Sequence, residues 1–221
     1  MTIAIPTTSV LAEFTGGSST EYDMMIGVGI QKDSDAVFFQ YLGSEGESRA
    51  LTVPTTGKPL NQFKAVRLAN IEIAEDVGTF HATKLNVYLE GTGGTVVMVT
   101  SGLSTMWSQC VMTALMGLMS DKYPDTITTE SRFTLWSKKG DQGMRPCFAS
   151  IFIDGERIGD DDMYTQLQDA RSNRDKAAVE SIMRDSVEIL STAINGTPAE
   201  IEVADEAILD AIPEIALTPD F

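Results

Sequence analysis

The chain reads as an α+β domain in which an antiparallel β-meander, forming a partly closed sheet, packs on one central apolar helix, with further helices at the C-terminal end. Three observations predict it. Short apolar segments separated by turn residues, several alternating with period two, fill the first hundred residues. One segment of helical period follows them, and a strand pair then precedes two more helical segments, which leaves few crossover helices to build a parallel sheet. Finally, 43% hydrophobic residues in 221 are enough to fill the core of one domain.

The segments Asp23 to Gln31 and Ala36 to Leu42 flank Lys32-Asp-Ser-Asp35, which predicts a hairpin. Gly43, Gly46, Pro54, Gly57 and Pro59 mark a long loop. Lys64 to Ala74 alternates, with Ala65, Arg67, Ala69, Ile71 and Ile73 on one side, and Phe80 to Glu90 continues with Leu85, Val87 and Leu89. The glycine-rich turn Glu90 to Thr95 leads into a β-branched return strand, Thr95 to Thr100. From Ser104, read as an N-cap, Met106, Trp107, Cys110, Val111, Ala114, Leu115, Leu118 and Met119 recur at helical spacing, and Met112 and Met116 make the opposite face apolar too. This is the core helix. Thr126 to Lys138 and Cys147 to Asp154 predict a second hairpin, Asp160 to Asp162 a cap for Met163 to Arg171, and Arg174 to Ile194 a last helix stopped by Asn195-Gly-Thr-Pro198. A small, partly closed antiparallel sheet with this order of elements is OB-like.

Charge divides the chain into a domain over residues 1–195 and an acidic tail over 196–221. The net charge is -16, from 32 acids and 16 bases. Beyond Arg184 there is no base, while nine acids follow from Asp185 onward, so the rest of the chain carries only -7. Gly91 to Ser120 is free of charge, but its apolar part is diluted by Ser104, Thr105, Ser108, Gln109 and Thr113. A spanning helix needs roughly 20 predominantly apolar residues, so no membrane association is expected. Two cysteines and no leader-like N-terminus predict a reducing, cytoplasmic setting.

Groups for catalysis are few. His81 is the single histidine, without a nucleophile-elbow motif, and reads as a structural or surface residue. One histidine with Cys110 and Cys147 supplies no metal set. The acids from Asp154 to Asp162 do not follow the calcium-loop spacing, and neither Gly27-Val-Gly29 nor Gly91-Thr-Gly-Gly94 extends to a phosphate-binding motif. No enzyme activity, cofactor or metal is expected.

A basic, aromatic hairpin is the stronger signal. In Arg132-Phe-Thr-Leu-Trp-Ser-Lys-Lys139, Arg132, Thr134, Trp136 and Lys138 share one face, and Phe133, Leu135, Ser137 and Lys139 the other. Arg145 and Phe148 follow on the partner strand, and Lys64 and Arg67, with Lys58 near Phe63, extend the basic track. Aromatic rings that stack bases and cations that follow phosphates are what sequence-tolerant single-strand binding needs. Trp136, Phe133 and Phe148 are therefore candidate platforms, and Arg132, Lys138, Lys139, Arg145, Lys64 and Arg67 candidate phosphate contacts. The alternative is ordinary core packing with solvated loop charges.

The last residues, from Asp210 through Glu214 to Asp220-Phe221, are acidic, base-free, proline-containing and end in phenylalanine. They resemble the C-terminal tips of bacterial and phage single-stranded-DNA-binding proteins. That resemblance implies a non-enzymatic protein that binds single-stranded DNA and whose Glu214, Asp220 and Phe221 dock on replication and repair proteins. A homo-oligomer is expected with it. Ala204, Ile208, Leu209 and Ile212 fit equally a final helix packed on the domain. Acidic charge and absent catalytic groups also fit a phage-related assembly protein that forms homo-oligomers. A shorter phrase, Ile151-Phe-Ile-Asp-Gly-Glu-Arg-Ile-Gly159, is similar to the closing strand, turn and helix of glutaredoxins, but the active cysteine motif of that family is missing.

Overall fold

The architecture turns on one long strand. A computed structural model describes residues 21–31, 33–42, 47–119, 132–141 and 146–195. Its strands are β1 (Met24–Val28), β2 (Phe38–Tyr41), β3 (Ser48–Ala50), β4 (Gln62–Val77), β5 (Ala82–Glu90), β6 (Val96–Gly102), β7 (Phe133–Lys139), β8 (Cys147–Ile153) and β9 (Glu156–Ile158). Three helices are described, α1 (Met106–Leu118), α2 (Asp161–Ser172) and α3 (Lys176–Asn195). The nine strands form one sheet in the order β3-β2-β1-β6-β5-β4-β7-β8-β9. The 16 residues of β4 serve two neighbours, since Arg67 to Val77 pair with β5 and Gln62 to Val66 with β7. The register slips between Phe63 and Val66, where Ala65 has a φ of 52°. A bulge of this kind bends the strand and increases its twist, which turns the β7–β9 part away from the β1–β6 part.

The sheet is mixed rather than an antiparallel meander throughout. β1 runs parallel to β6, with Ile26 opposite Val99, while the other pairs are antiparallel. The predicted long loop contains β3 and an isolated bridge between Thr52 and Pro59. The sheet also curls. The rings of Phe38 on β2 and Phe63 on β4 meet at 4.8 Å, edge to face. Lys139, at the end of β7, donates from Nζ to the carbonyls of Gln31 and Ser34 in the β1–β2 connection, at 2.6 Å each. No strand pair closes the curl among the described residues, and β3 and β9 remain its edges.

α1 fills the concave side. Trp107, Val111, Met112, Leu115 and Leu118 are buried against Ile71, Leu85, Val87, Val99, Leu135 and Ile151, and Trp107 Nε1 donates to Ser137 Oγ on β7 at 3.0 Å. Its N-cap is Thr105, whose Oγ1 accepts from the Ser108 amide, and not Ser104. Both hydroxyl residues suit the position, and the one that caps is set by where the first turn begins. Gly117 lets α1 touch the β9–α2 connection, because a Cβ there would stand 2.6 Å from the Gly159 carbonyl carbon. Asp160 caps α2 by accepting from the Met163 amide. α2 packs on α1, and α3 packs on β4, α2 and α1, through Met163, Leu167, Val179, Met183 and Leu190. None of the helices in the described residues is long and apolar enough to cross a membrane.

Candidate nucleic-acid interface

β7 alternates as its sequence spacing predicts: Phe133, Leu135, Ser137 and Lys139 are buried, and Thr134, Trp136 and Lys138 face outward. The antiparallel register with β8 sets Thr134 opposite Phe152, Trp136 opposite Ser150 and Lys138 opposite Phe148. Side chains directly opposite across a ladder stand about 5 Å apart, and diagonal neighbours remain within reach of aromatic side chains. β9 adds Arg157 opposite Phe152, and β4 adds Gln62 opposite Trp136, with Lys64 two residues further along. One convex face therefore carries three half-buried rings, Trp136, Phe148 and Phe152, and three exposed cations, Lys64, Lys138 and Arg157. None of these cations makes an ion pair among the described residues, and Lys138 Nζ lies 6.0 Å from the Trp136 ring centroid. No carboxylate occupies any of the nine positions named on this face.

Four of the residues singled out from the sequence serve the fold instead. Phe133 is 2% exposed and belongs to the core beneath the face, so it offers no stacking surface. Lys139, at 9%, points to the same side and spends its ammonium on the Gln31 and Ser34 carbonyls. Arg132 donates to the carbonyls of Ala65 and Glu90, clamping the bulge of β4 to the start of β7. Arg67 pairs with the Glu90 carboxylate. Arg145, Glu214, Asp220 and Phe221 lie outside the described residues. Phe152, Ser150, Arg157 and Gln62 were not singled out from the sequence, although the alternation that gives Phe148 its side gives Ser150 and Phe152 theirs.

The perturbed titratable groups sit elsewhere. Tyr88, donating to Glu72 Oε1 at 2.6 Å, is pushed well above the ordinary tyrosine range, first by burial and then by Glu72 itself. Tyr41 is raised by burial. Glu75 is lowered by Arg184, which bonds to it from α3, and Arg184 is raised in turn. His81 is exposed in the β4–β5 turn against Asp76. It shares a shallow groove with Ser104, whose Oγ donates to Glu180 and not to the imidazole, so no base-to-nucleophile hydrogen bond is formed there. Among the described residues no group of His, Cys, Asp and Glu is placed to hold a metal ion. Comparison with protein-family models, with curated proteins and with solved structures finds no match for this chain.

Proposed function

We propose that the protein binds single-stranded DNA, with little sequence preference, across the outer face of β7, β8 and β9. The observation that carries this reading is the coincidence on one face of Trp136, Phe148 and Phe152 with the cations Lys64, Lys138 and Arg157, which make no ion pair among the described residues. Rings stack bases of any identity, and the cations follow the phosphates. The acidic segment beyond residue 195 is the part that recruits replication and repair proteins, and the binding unit is a homo-oligomer.

The chain reports on itself. It has two tryptophans, Trp107 and Trp136, and Trp107 is 1% exposed, so fluorescence lost on adding an unlabelled oligonucleotide comes from Trp136. Three phosphate contacts predict a log–log salt slope of about -2, from about 0.7 per phosphate for single strands. Raising salt fourfold then weakens binding about 20-fold. Trp136→Ala costs about 1–3 kcal/mol, or roughly 5- to 150-fold in affinity. An oligonucleotide that leaves the fluorescence unchanged at low salt overturns the proposal.

A second reading, a homo-oligomeric assembly protein, draws on the tip of the β4–β5 hairpin, where Phe80 is 92% exposed beside Val77 at 39%. A salt-independent oligomer that Phe80→Ser dissociates, together with no affinity for DNA, selects that reading.

A further inference from the structure

A cavity of about 780 Å³ opens between the first half of α1, the start of β8 and the length of α2. Two observations give its chemistry. Arg171 reaches its edge half-buried, donates from Nη1 to the thioether of Met106 at 3.0 Å, and has no carboxylate partner among the described residues. A thioether is a weak acceptor, so the guanidinium keeps its capacity for a bidentate anion. Tyr164, 52% exposed, and Phe148 offer rings on two sides.

The acids of the cavity lie at its other end. Asp161 is ten residues from Arg171 on the same helix, about 15 Å along the axis, and Asp160 is engaged as the cap of α2. The cavity also joins the convex face, because Phe148, Ser150 and Arg157 belong to both. We propose that it holds one nucleotide unit of a bound strand, with the phosphate on Arg171 and the base against Tyr164 and Phe148. An aromatic ring stacks any base, so the site tolerates sequence as the face does. The inference rests on the single-strand reading, and its test separates the two.

Cys110 lines the cavity half-buried, whereas Cys147 is buried, so the rate of thiol alkylation by iodoacetamide at Cys110 reads occupancy. With the full chain, dAMP is expected to slow that alkylation, and deoxyadenosine or inorganic phosphate alone to need at least tenfold higher concentration. Arg171→Ala raises the required dAMP about tenfold or more. Tyr164→Ala, a surface change that leaves the core intact, raises it as well. An oligonucleotide that quenches Trp136 while neither it nor dAMP slows alkylation overturns the cavity and leaves the face. Protection by dAMP without any quenching by an oligonucleotide overturns the face and with it the strand assignment of the cavity, leaving a mononucleotide site. Inorganic phosphate protecting as well as dAMP overturns the nucleotide assignment in favour of a plain anion site.

Discussion

Lys138 and Lys139 are neighbours in sequence on opposite sides of β7, and exchanging each for methionine separates the proposed interface from the fold. Methionine keeps the length of the stem and removes the charge. At Lys139 it deletes two short charge-assisted hydrogen bonds to Gln31 and Ser34, which tie the end of β7 to the β1–β2 connection. A buried carbonyl left alone costs about 1–3 kcal/mol. Gln31 is exposed and Ser34 half-buried, so water replaces part of that loss, and about 2 kcal/mol is expected in all. For a domain of this size that lowers Tm by about 4–8 °C. At Lys138, which is exposed, the stability change stays within about 0.5 kcal/mol, while the salt slope of single-strand binding falls by about 0.7. Thermal melts by circular dichroism and anisotropy titrations at several salt concentrations measure both. If Lys138→Met melts as early as Lys139→Met, or if Lys139→Met flattens the salt slope with an unchanged Tm, the facial assignment of β7 is wrong.

Two further outcomes follow from close packing and from a buried phenol. Gly117→Ala sets a Cβ 2.6 Å from the Gly159 backbone; neither backbone can step aside freely, so the net cost is about 1–3 kcal/mol despite the better helix propensity of alanine. The reciprocal Gly159→Ala meets nothing within 4 Å and should leave urea unfolding nearly unchanged. Tyr88 has its folded pKa raised above the ordinary value of 10.0, so its contribution to stability is complete below pH 10 and is lost as pH rises toward the folded value. Tyr88→Phe should flatten that alkaline loss in denaturant titrations between pH 9 and 11, and an unchanged profile would remove Tyr88 as its source.

What could be read from the sequence was local, and what could not was long-range. The sidedness of β7 follows from period two alone, since a strand with Phe133 and Leu135 inside must carry Thr134 and Trp136 outside. That same rule assigned Lys139 to the inner side, but its acceptors lie 105 and 108 residues away, and nothing in the local spacing announces them. The parallel pairing of β1 with β6 was hidden for a similar reason. Alternation fixes which residues face the core, not which strand lies alongside, and Met24 to Val28 would serve an antiparallel neighbour equally well. The bulge at Ala65 has no glycine or proline to mark it. The cavity is assembled from α1, β8 and α2, whose Gln109, Phe148 and Arg171 meet only after the β9–α2 connection has crossed α1 at Gly117.

A chain with a net charge of -16 would hold a polyanion on the proposed face only if its acids stand away from it, and none of the nine positions named there on β4, β7, β8 and β9 is acidic. The acids of α3, among them Asp185 and Glu188, ride on a helix that packs behind the sheet. A sheet and the layer packed on it are separated by about 10 Å. At 0.1 M salt the Debye length is also about 10 Å, so those charges are largely screened from a strand on the convex face, whereas at 0.01 M it reaches about 30 Å and they are not. Attraction from Lys64, Lys138 and Arg157 is short-range and persists in both conditions. The salt dependence of binding should therefore follow a slope of about -2 near physiological salt and flatten below about 0.02 M, where repulsion from the helix side grows along with the attraction. A slope that stays linear down to 0.005 M would mean that the acids are not felt at the face at all, and that the cations alone set its salt dependence.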